Sequence, residues 1–150
     1  MTSAAAIAVV QRFFDAYRAR DVEAMVDACS ERAELHYVPF EVWGKQRVLR
    51  GDGKVRTIGK VLWTGLIESF PDLTNEVTSI HADDAGSVAA EVVIRGTQAK
   101  VWGTIDSSGK TFAERHLFLF HVDETARIEK ISAYWDCAGM NRQLGRVEVD

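Results

Sequence analysis

The chain has 150 residues, a length that suits a single domain over residues 1–150 with a sizeable core. Its hydrophobic content of 47% and charged content of 27% are ordinary for a globular protein. The net charge of −4 argues against nucleic-acid binding, which needs a basic surface to neutralise phosphates. Because Cys29 and Cys137 are too few for a disulfide framework, we expect reduced thiols in a cytoplasmic protein.

The N-terminal segment predicts two helices rather than a targeting signal. Residues 4–10 are apolar, but the run is short and no basic residue precedes it, so we expect neither a signal peptide nor a membrane span. Ser3 is the expected N-cap of a helix that runs to about Arg20. Asp21 is expected to cap a second helix over 22–29. The first helix has an apolar stripe at three- and four-residue steps: Ile7, Val10, Phe13, Phe14 and Tyr17.

The middle of the chain predicts a short strand, a loop and a third helix. The strand covers about 33–38 and is broken by Pro39. Residues 40–53 lack a clear hydrophobic period and contain three glycines, which predicts a loop. A helix over 54–69 follows, and Pro71 ends it.

The rest of the sequence predicts β structure. Four segments alternate with turn-forming residues: 73–81, 88–102, 112–122 and 127–136. Helices followed by antiparallel strands indicate an α+β domain with three N-terminal helices on one face of the sheet. A strongly curved, mostly antiparallel sheet over these helices would enclose a cone-shaped cavity.

The last predicted hairpin supplies the candidate site, because strand side chains alternate between two faces. In the strand 112–122, one face carries Glu114, His116, Phe118 and Phe120. Absent a bulge, the matching face of the last strand carries Ile128, Lys130, Ser132, Tyr134 and Asp136. The opposite face is then unexpectedly apolar, with Leu117, Leu119, Ile131, Ala133 and Trp135. Such a face predicts a homodimer formed through the outside of the sheet.

Asp136 is the predicted catalytic acid/base. A carboxylate at a strand end among aromatic side chains would be partly desolvated, which raises its pKa toward neutrality. His116 is predicted as its partner, orienting or protonating a substrate oxygen. The alternatives are that Asp136 caps the segment 137–144 and that His116 is a hydrogen-bonded core histidine.

Further side chains are candidates for substrate contact, and each has a structural alternative. Gln98 could bind a substrate carbonyl or only neighbouring backbone, and the tryptophans could be core or lid. Trp102 and Trp135 are expected at a surface or interface. The predicted substrate-binding residues are Tyr37, Gln98, Phe118, Tyr134, Trp63 and Trp43. The four histidines lack metal-ligand spacing, so no metal site is predicted.

Several segments resemble a known superfamily. VQRFFDAY at 10–17, followed by RD at 20–21, resembles the first two helices of nuclear-transport-factor-2-like domains. Other segments resemble, in order and spacing, the SnoaL-like polyketide cyclase group of that superfamily. They are FPDL at 70–73, GT at 96–97, GK at 109–110, HLF at 116–118 and YWD at 134–136.

The resemblance implies a cone-shaped fold and a reaction class. Such cyclases close a polyketide ring by intramolecular aldol condensation, without metal or cofactor, using a carboxylate as acid/base. That carboxylate corresponds to Asp136, and the histidine that opens the preceding strand corresponds to His116. The family often places a histidine at the position of Gln98.

Two related mechanisms lack their residues in this sequence. The positions that carry a tyrosine and two aspartates in ketosteroid isomerases hold Phe13, Tyr37 and Arg115. Limonene-epoxide hydrolases need an arginine and an aspartate two residues apart, whereas Arg95 is followed two residues later by Thr97.

The sequence therefore favours a cofactor-independent cyclase- or isomerase-type enzyme acting on a largely apolar, carbonyl-bearing small molecule. A non-catalytic binding domain or a dimeric accessory subunit is the alternative. A third possibility is a purely structural domain whose interior is filled by its own side chains.

Overall fold

The computed structural model of the chain describes residues 2–44, 47–102, 105–107 and 109–145, without the side chains of 39–50. Its elements, in chain order, are α1 (Ser3–Arg18), α2 (Val22–Asp27), β1 (Cys29–Gly44), β2 (Arg47–Lys54), a π-helical turn (Val55–Gly59), α3 (Lys60–Ser69), β3 (Thr74–Ala82), β4 (Ser87–Thr97), β5 (Thr111–Val122), β6 (Ile128–Trp135) and α4 (Cys137–Gln143). This α+β architecture confirms the predicted fold class.

The first two helices begin at polar caps. Thr2 caps α1, one residue before the predicted position, because its hydroxyl accepts a hydrogen bond of 3.1 Å from the Ala5 amide. Asp21 caps α2 as predicted, and its carboxylate accepts a bond of 3.0 Å from the Ala24 amide. Phe13, Phe14 and Tyr17 of the α1 stripe are buried in the core. No helix among the described residues is long and apolar enough to cross a membrane.

The predicted loop at 40–53 is wrong, because most of it lies in strands. β1 continues through Pro39, and β2 runs back beside it at the edge of the sheet. Glycine fits the end of this edge strand for a steric reason. A Cβ on Gly53, where φ is +149°, would lie 2.6 Å from Ile58 Cγ1. The π-helical turn can therefore pack directly onto the end of β2.

The six strands form one curved sheet in the order β2-β1-β6-β5-β4-β3. Neighbouring strands are antiparallel except for β1 and β6, which run parallel. The inner face of the sheet packs on α1 and α3 around a core of aromatic and branched side chains. The residues that share a cavity with the helices therefore come from β1, β4, β5 and β6.

The segments FPDL and GT are in contact. The Asp72 carboxylate accepts hydrogen bonds from the Thr97 amide at 2.7 Å and the Thr97 hydroxyl at 2.8 Å. A Cβ on Gly96 would meet the Phe70 Cβ at 3.0 Å, so glycine allows the end of α3 to approach β4 closely. These two segments together fix where the helical layer meets the sheet.

A β-bulge in β6 overturns the predicted side-chain faces of the last strand. His121 pairs with Lys130 but Val122 pairs with Ile128, so Glu129 is an extra residue. Glu129 and Lys130 are both exposed, and alternation resumes one residue out of step at Ile131. The inner face therefore carries Ile128, Ile131, Ala133 and Trp135, all buried. Tyr134 and Asp136 lie outside this face, contrary to the prediction.

The outer sheet face keeps an apolar group, but not the predicted one. Leu117 and Leu119 are exposed on β5, as expected. Ile131, Ala133 and Trp135 are instead buried, because the bulge moves them to the inner face. Tyr134 instead pairs with Leu117 in the strand register, and Val38 pairs with Tyr134 on its other side. We call the exposed set Val38, Leu117, Leu119 and Tyr134 the outer apolar patch.

Candidate active site

A small internal cavity lies between the inner sheet face and the helices. Its lining is almost entirely apolar, with three polar side chains from α1, β1 and β5. The lining residues are Tyr17, Tyr37, Leu62, Leu66, Ile94, Trp102, Phe112, His116, Trp135 and Met140. The cavity has a volume of about 20 Å³, which suits a single water molecule. A larger ligand would have to displace some of these side chains.

His116 enters the cavity as a neutral base. Its Nδ1 donates a hydrogen bond of 3.0 Å to the Glu114 carbonyl, because a carbonyl can only accept. That bond leaves Nε2 as the basic nitrogen. The ring stacks on Trp135 and Phe118 with centroid distances of 5.4 and 5.7 Å. Burial lowers the pKa of His116 from 6.5 to about 4, so the imidazole is uncharged at neutral pH.

Tyr37, on β1, is fixed by a hydrogen bond from an indole. Trp63 Nε1 on α3 donates to the Tyr37 hydroxyl over 3.0 Å, and both side chains are buried. Burial raises the pKa of Tyr37 to about 12 despite that bond, so its hydroxyl keeps its proton at neutral pH. The structure thus brings together the predicted residues His116 and Tyr37 in one cavity.

Tyr17, on α1, is a cavity residue that the sequence analysis assigned only to the core stripe. Its side chain is 1% exposed and lies beside Phe13, with ring centroids 6.3 Å apart. Its hydroxyl has no hydrogen-bond partner among the described residues. Burial, and then the neighbouring Tyr37, raise the pKa of Tyr17 well above its usual value. The helical spacing that predicted a core position does not reveal an unpartnered hydroxyl.

The structure contradicts the predicted position of Asp136 in the cavity. Its side chain is 59% exposed, and its Oδ1 accepts a hydrogen bond of 2.8 Å from the Gly139 amide. It is the N-cap of α4, which was the structural alternative. The nearby Glu114 is partly buried, and burial, followed by the charge of Asp136, raises its pKa. The bulge in β6 is the reason that Asp136 faces away from the core.

Other predicted contacts also lie outside the cavity lining. Gln98 is buried, and its Nε2 donates to the Lys100 and Ile105 carbonyls at 3.1 and 2.9 Å, which is the backbone alternative. Tyr134 is 44% exposed on the outer face, contrary to its predicted position on the inner face.

Phe118 and Trp63 each contact a cavity residue. Phe118 stacks on His116, and Trp63 donates a hydrogen bond to Tyr37. Trp43 lies on β1, with its side chain outside the described part. Trp102 and Trp135, expected at a surface or interface, are buried and line the cavity.

Comparison with known proteins identifies the family. The SnoaL-like domain family matches residues 10–131, which is most of the chain. This chain belongs to the SnoaL-like domain family. Among curated proteins, no sequence matches this SnoaL-like chain.

Solved structures share the fold of this SnoaL-like domain at low sequence identity. AclR, a proposed hydroxylase from Streptomyces galilaeus, is 15% identical with a TM-score of 0.79, over 98% of this chain and all of its own. IdmH, a proposed polyketide cyclase from Streptomyces antibioticus, is 22% identical with a TM-score of 0.75, over 93% of this chain and 98% of its own. A proposed SnoaL-like polyketide cyclase from Jannaschia is 15% identical with a TM-score of 0.73, over 95% of this chain and 94% of its own.

In the described ranges, no three His, Cys, Asp or Glu side chains come together as metal ligands. Cys29 is buried, and burial raises its pKa to about 12, so it is an inert thiol at neutral pH. The chemistry available in the cavity therefore comes from one neutral imidazole and two neutral phenols.

Proposed function

We propose that this protein is a cofactor-independent enzyme of the cyclase or isomerase type, acting on a largely apolar small molecule with an enolisable carbonyl group. The observation that carries the proposal is His116, a neutral imidazole buried in an apolar cavity with its Nδ1 fixed by backbone. The family of the chain and the polyketide cyclases that share its fold support the reaction class.

The proposed base acts on a carbon next to the carbonyl. His116 Nε2 takes a proton from that carbon, and the electrons of the C–H bond move toward the carbonyl oxygen to give an enolate. In a cyclisation, the enolate carbon then attacks a second carbonyl of the same molecule, and the resulting alkoxide recovers the proton from His116. In an isomerisation, the proton returns to a different carbon. Either route leaves the protein unchanged.

The apolar surroundings help this step after the substrate binds. The imidazolium form of His116 is disfavoured in the free protein because burial removes it from water, and none of the described lining residues carries a negative charge to offset that cost. An enolate formed beside it supplies that charge at short range in a medium of low dielectric constant. Proton transfer therefore creates the imidazolium of His116 and the enolate together, and the two opposite charges stabilise each other.

The size of the cavity requires movement during binding. A volume of about 20 Å³ does not hold an organic substrate. Met140 lines the cavity from α4, a helix of only 7 residues. We therefore expect substrate entry to displace the α4 side of the cavity, as lid segments do in many enzymes.

A second candidate function is a dimeric accessory subunit. It is favoured by the small cavity together with the outer apolar patch, which offers a surface for a second copy. This candidate predicts no acceleration of proton transfer by the wild-type protein. The two functions are thus separated by one assay.

The assay measures hydrogen exchange at carbon. β-Tetralone, an apolar bicyclic ketone, is incubated in D2O with the protein, and loss of the signals beside its carbonyl is followed by proton NMR. The wild type should accelerate exchange, and His116→Gln should reduce that acceleration by about 10²–10⁴-fold, the usual contribution of a general base.

His81→Gln changes an exposed histidine on β3 and serves as the matched control, which should keep the wild-type rate. Circular dichroism checks that both variants fold. Equal exchange rates for wild type and His116→Gln would show that His116 is not the base.

A further inference from the structure

The Tyr17 hydroxyl is buried without a hydrogen bond to the described part of the chain. Folding removes this hydroxyl from water without returning a hydrogen bond, which is costly. The neighbouring aromatic positions on the same helix face, Phe13 and Phe14, fill the core without a hydroxyl. Packing alone therefore does not require the oxygen of Tyr17.

The position of Tyr17 shows where its partner would lie. The side chain lines the same cavity as His116 and Tyr37. It projects from α1, a 16-residue helix that packs on β3, β4 and β5, so its position is set by rigid elements. Its raised pKa keeps the phenol protonated at neutral pH, so it can act as a hydrogen-bond donor.

We propose that Tyr17 donates the hydrogen bond that holds the carbonyl oxygen of the substrate, with that oxygen toward α1 and the acidic carbon toward His116. This assignment rests on the proposed function and adds the orientation of the substrate to it. It also narrows the ligand class to apolar molecules with an acceptor oxygen, such as ketones, because a molecule without one leaves the Tyr17 hydroxyl unpaired.

The same bond assists proton transfer. As His116 takes the proton, negative charge develops on the carbonyl oxygen, and the hydrogen bond from Tyr17 strengthens. Removing one such donor from an enzyme typically lowers the rate by about 10²–10³-fold. Tyr17 is thus assigned as a catalytic residue that contacts the reacting group.

A buried water molecule is the rival partner for Tyr17. The cavity of about 20 Å³ could hold one, which would give the hydroxyl a purely structural role. In that case, substitution by phenylalanine would release the water and leave ligand selection unchanged. The experiment must therefore read ligand binding as well as turnover.

The test compares Tyr17→Phe with Tyr134→Phe, which removes an exposed hydroxyl on the outer face. Affinities for β-tetralone and for tetralin, its hydrocarbon analogue, are measured by calorimetry. The carbonyl stretching band of bound β-tetralone is recorded by infrared difference spectroscopy. We expect the wild type and Tyr134→Phe to prefer the ketone by about tenfold and to lower the stretching frequency. Tyr17→Phe should lose both effects.

The assignment is overturned by a Tyr17→Phe variant that keeps the ketone preference and the band shift, or by a wild type that shows neither. The exchange assay separates this result from the proposed function. If His116→Gln abolishes exchange while Tyr17→Phe behaves as wild type, only the Tyr17 assignment fails. If the wild type shows the ketone preference but no exchange, the enzymatic proposal fails and the Tyr17 site remains.

Discussion

His116 owes its neutral state to its place on β5. It is 7% exposed between two aromatic rings, and its Nδ1 donates a hydrogen bond to the backbone carbonyl of Glu114. The protonated form of a histidine in such surroundings lacks the water that would hydrate its charge. Burial therefore lowers the pKa of His116 to about 4. The same burial that keeps the imidazole unprotonated at neutral pH also makes the fold sensitive to acid.

The acid sensitivity of His116 can be measured as stability. The unfolded chain binds a proton at this residue below about pH 6.5, while the folded protein resists protonation until about pH 4. The free energy of unfolding should therefore fall as the pH drops through this window, by about 3 kcal/mol at about 1.4 kcal/mol per pKa unit. His116→Phe keeps an aromatic ring and should remove this part of the pH dependence.

Urea unfolding of wild type and His116→Phe, at about pH 7 and about pH 4, measures the difference. Other titrating groups, including the partly buried Glu114, contribute equally to both proteins and cancel. The same fall in stability for both proteins would contradict a buried neutral His116.

Tyr17 shows the limit of sequence reasoning at the residue scale. Its spacing from Phe13 predicts burial on the inner face of α1, and the structure confirms that burial. Whether a buried tyrosine finds a hydrogen-bond partner depends on side chains distant in sequence. For Tyr37 that partner is Trp63, on α3, 26 residues away. Neither arrangement can be read from periodicity.

At the scale of elements, the bulge in β6 decides which residues reach the cavity. A strand without a bulge would bury Lys130 and Ser132 beside Ile128. The bulge instead exposes the adjacent charges of Glu129 and Lys130 and buries Trp135. The sequence does carry a signal for this bulge: two adjacent charged residues, Glu129 and Lys130, lie between the apolar residues Ile128 and Ile131. It indicates an extra residue because only a bulge places both charges in solvent.

Asp136 tests this placement of β6. Asp136→Asn keeps an oxygen that can cap α4, so both stability and the exchange rate with β-tetralone should stay close to wild type. Asp136→Ala removes the cap and should lower the free energy of unfolding by about 1 kcal/mol. A loss of exchange by 10²-fold or more in Asp136→Asn, at unchanged stability, would restore this carboxylate as a catalytic base.

Most elements were predictable because their signals are local. The α1 stripe, the Asp21 cap and the alternation of β4 and β5 depend on neighbours in sequence, and the structure confirms them. β2 was missed because its glycines, which suggest a loop, are tolerated in an edge strand. The site was harder, because Tyr17, Tyr37 and His116 come from three elements and meet only through the tertiary fold.

For the whole molecule, the homodimer stays a prediction, and the outer apolar patch is the surface through which it would form. Leu117 and Val38 both lie beside Tyr134 in the register of neighbouring strands, so they form one surface. Apolar side chains that are 39–44% exposed on one sheet face favour a partner. We propose a second copy of the chain as that partner.

Sedimentation equilibrium tests the dimer. The wild type should sediment as a dimer, and Leu117→Glu should sediment as a monomer, because the partner face would have to bury the added charge. Val61→Glu, at a position on α3 that is 72% exposed, is the matched control and should remain a dimer. A monomeric wild type at high micromolar concentration would contradict the prediction.

The proposed chemistry depends on a neutral imidazole in the cavity, with no proton on its Nε2 at neutral pH. Nitrogen NMR of histidine-labelled protein, titrated from neutral to acidic pH, reads this state directly, and His116→Gln assigns the signal. We expect a proton on Nδ1 alone at neutral pH and a titration midpoint at a pKa of about 4. A proton on Nε2 in the neutral ring, or a midpoint at the ordinary histidine pKa of about 6.5, would contradict it.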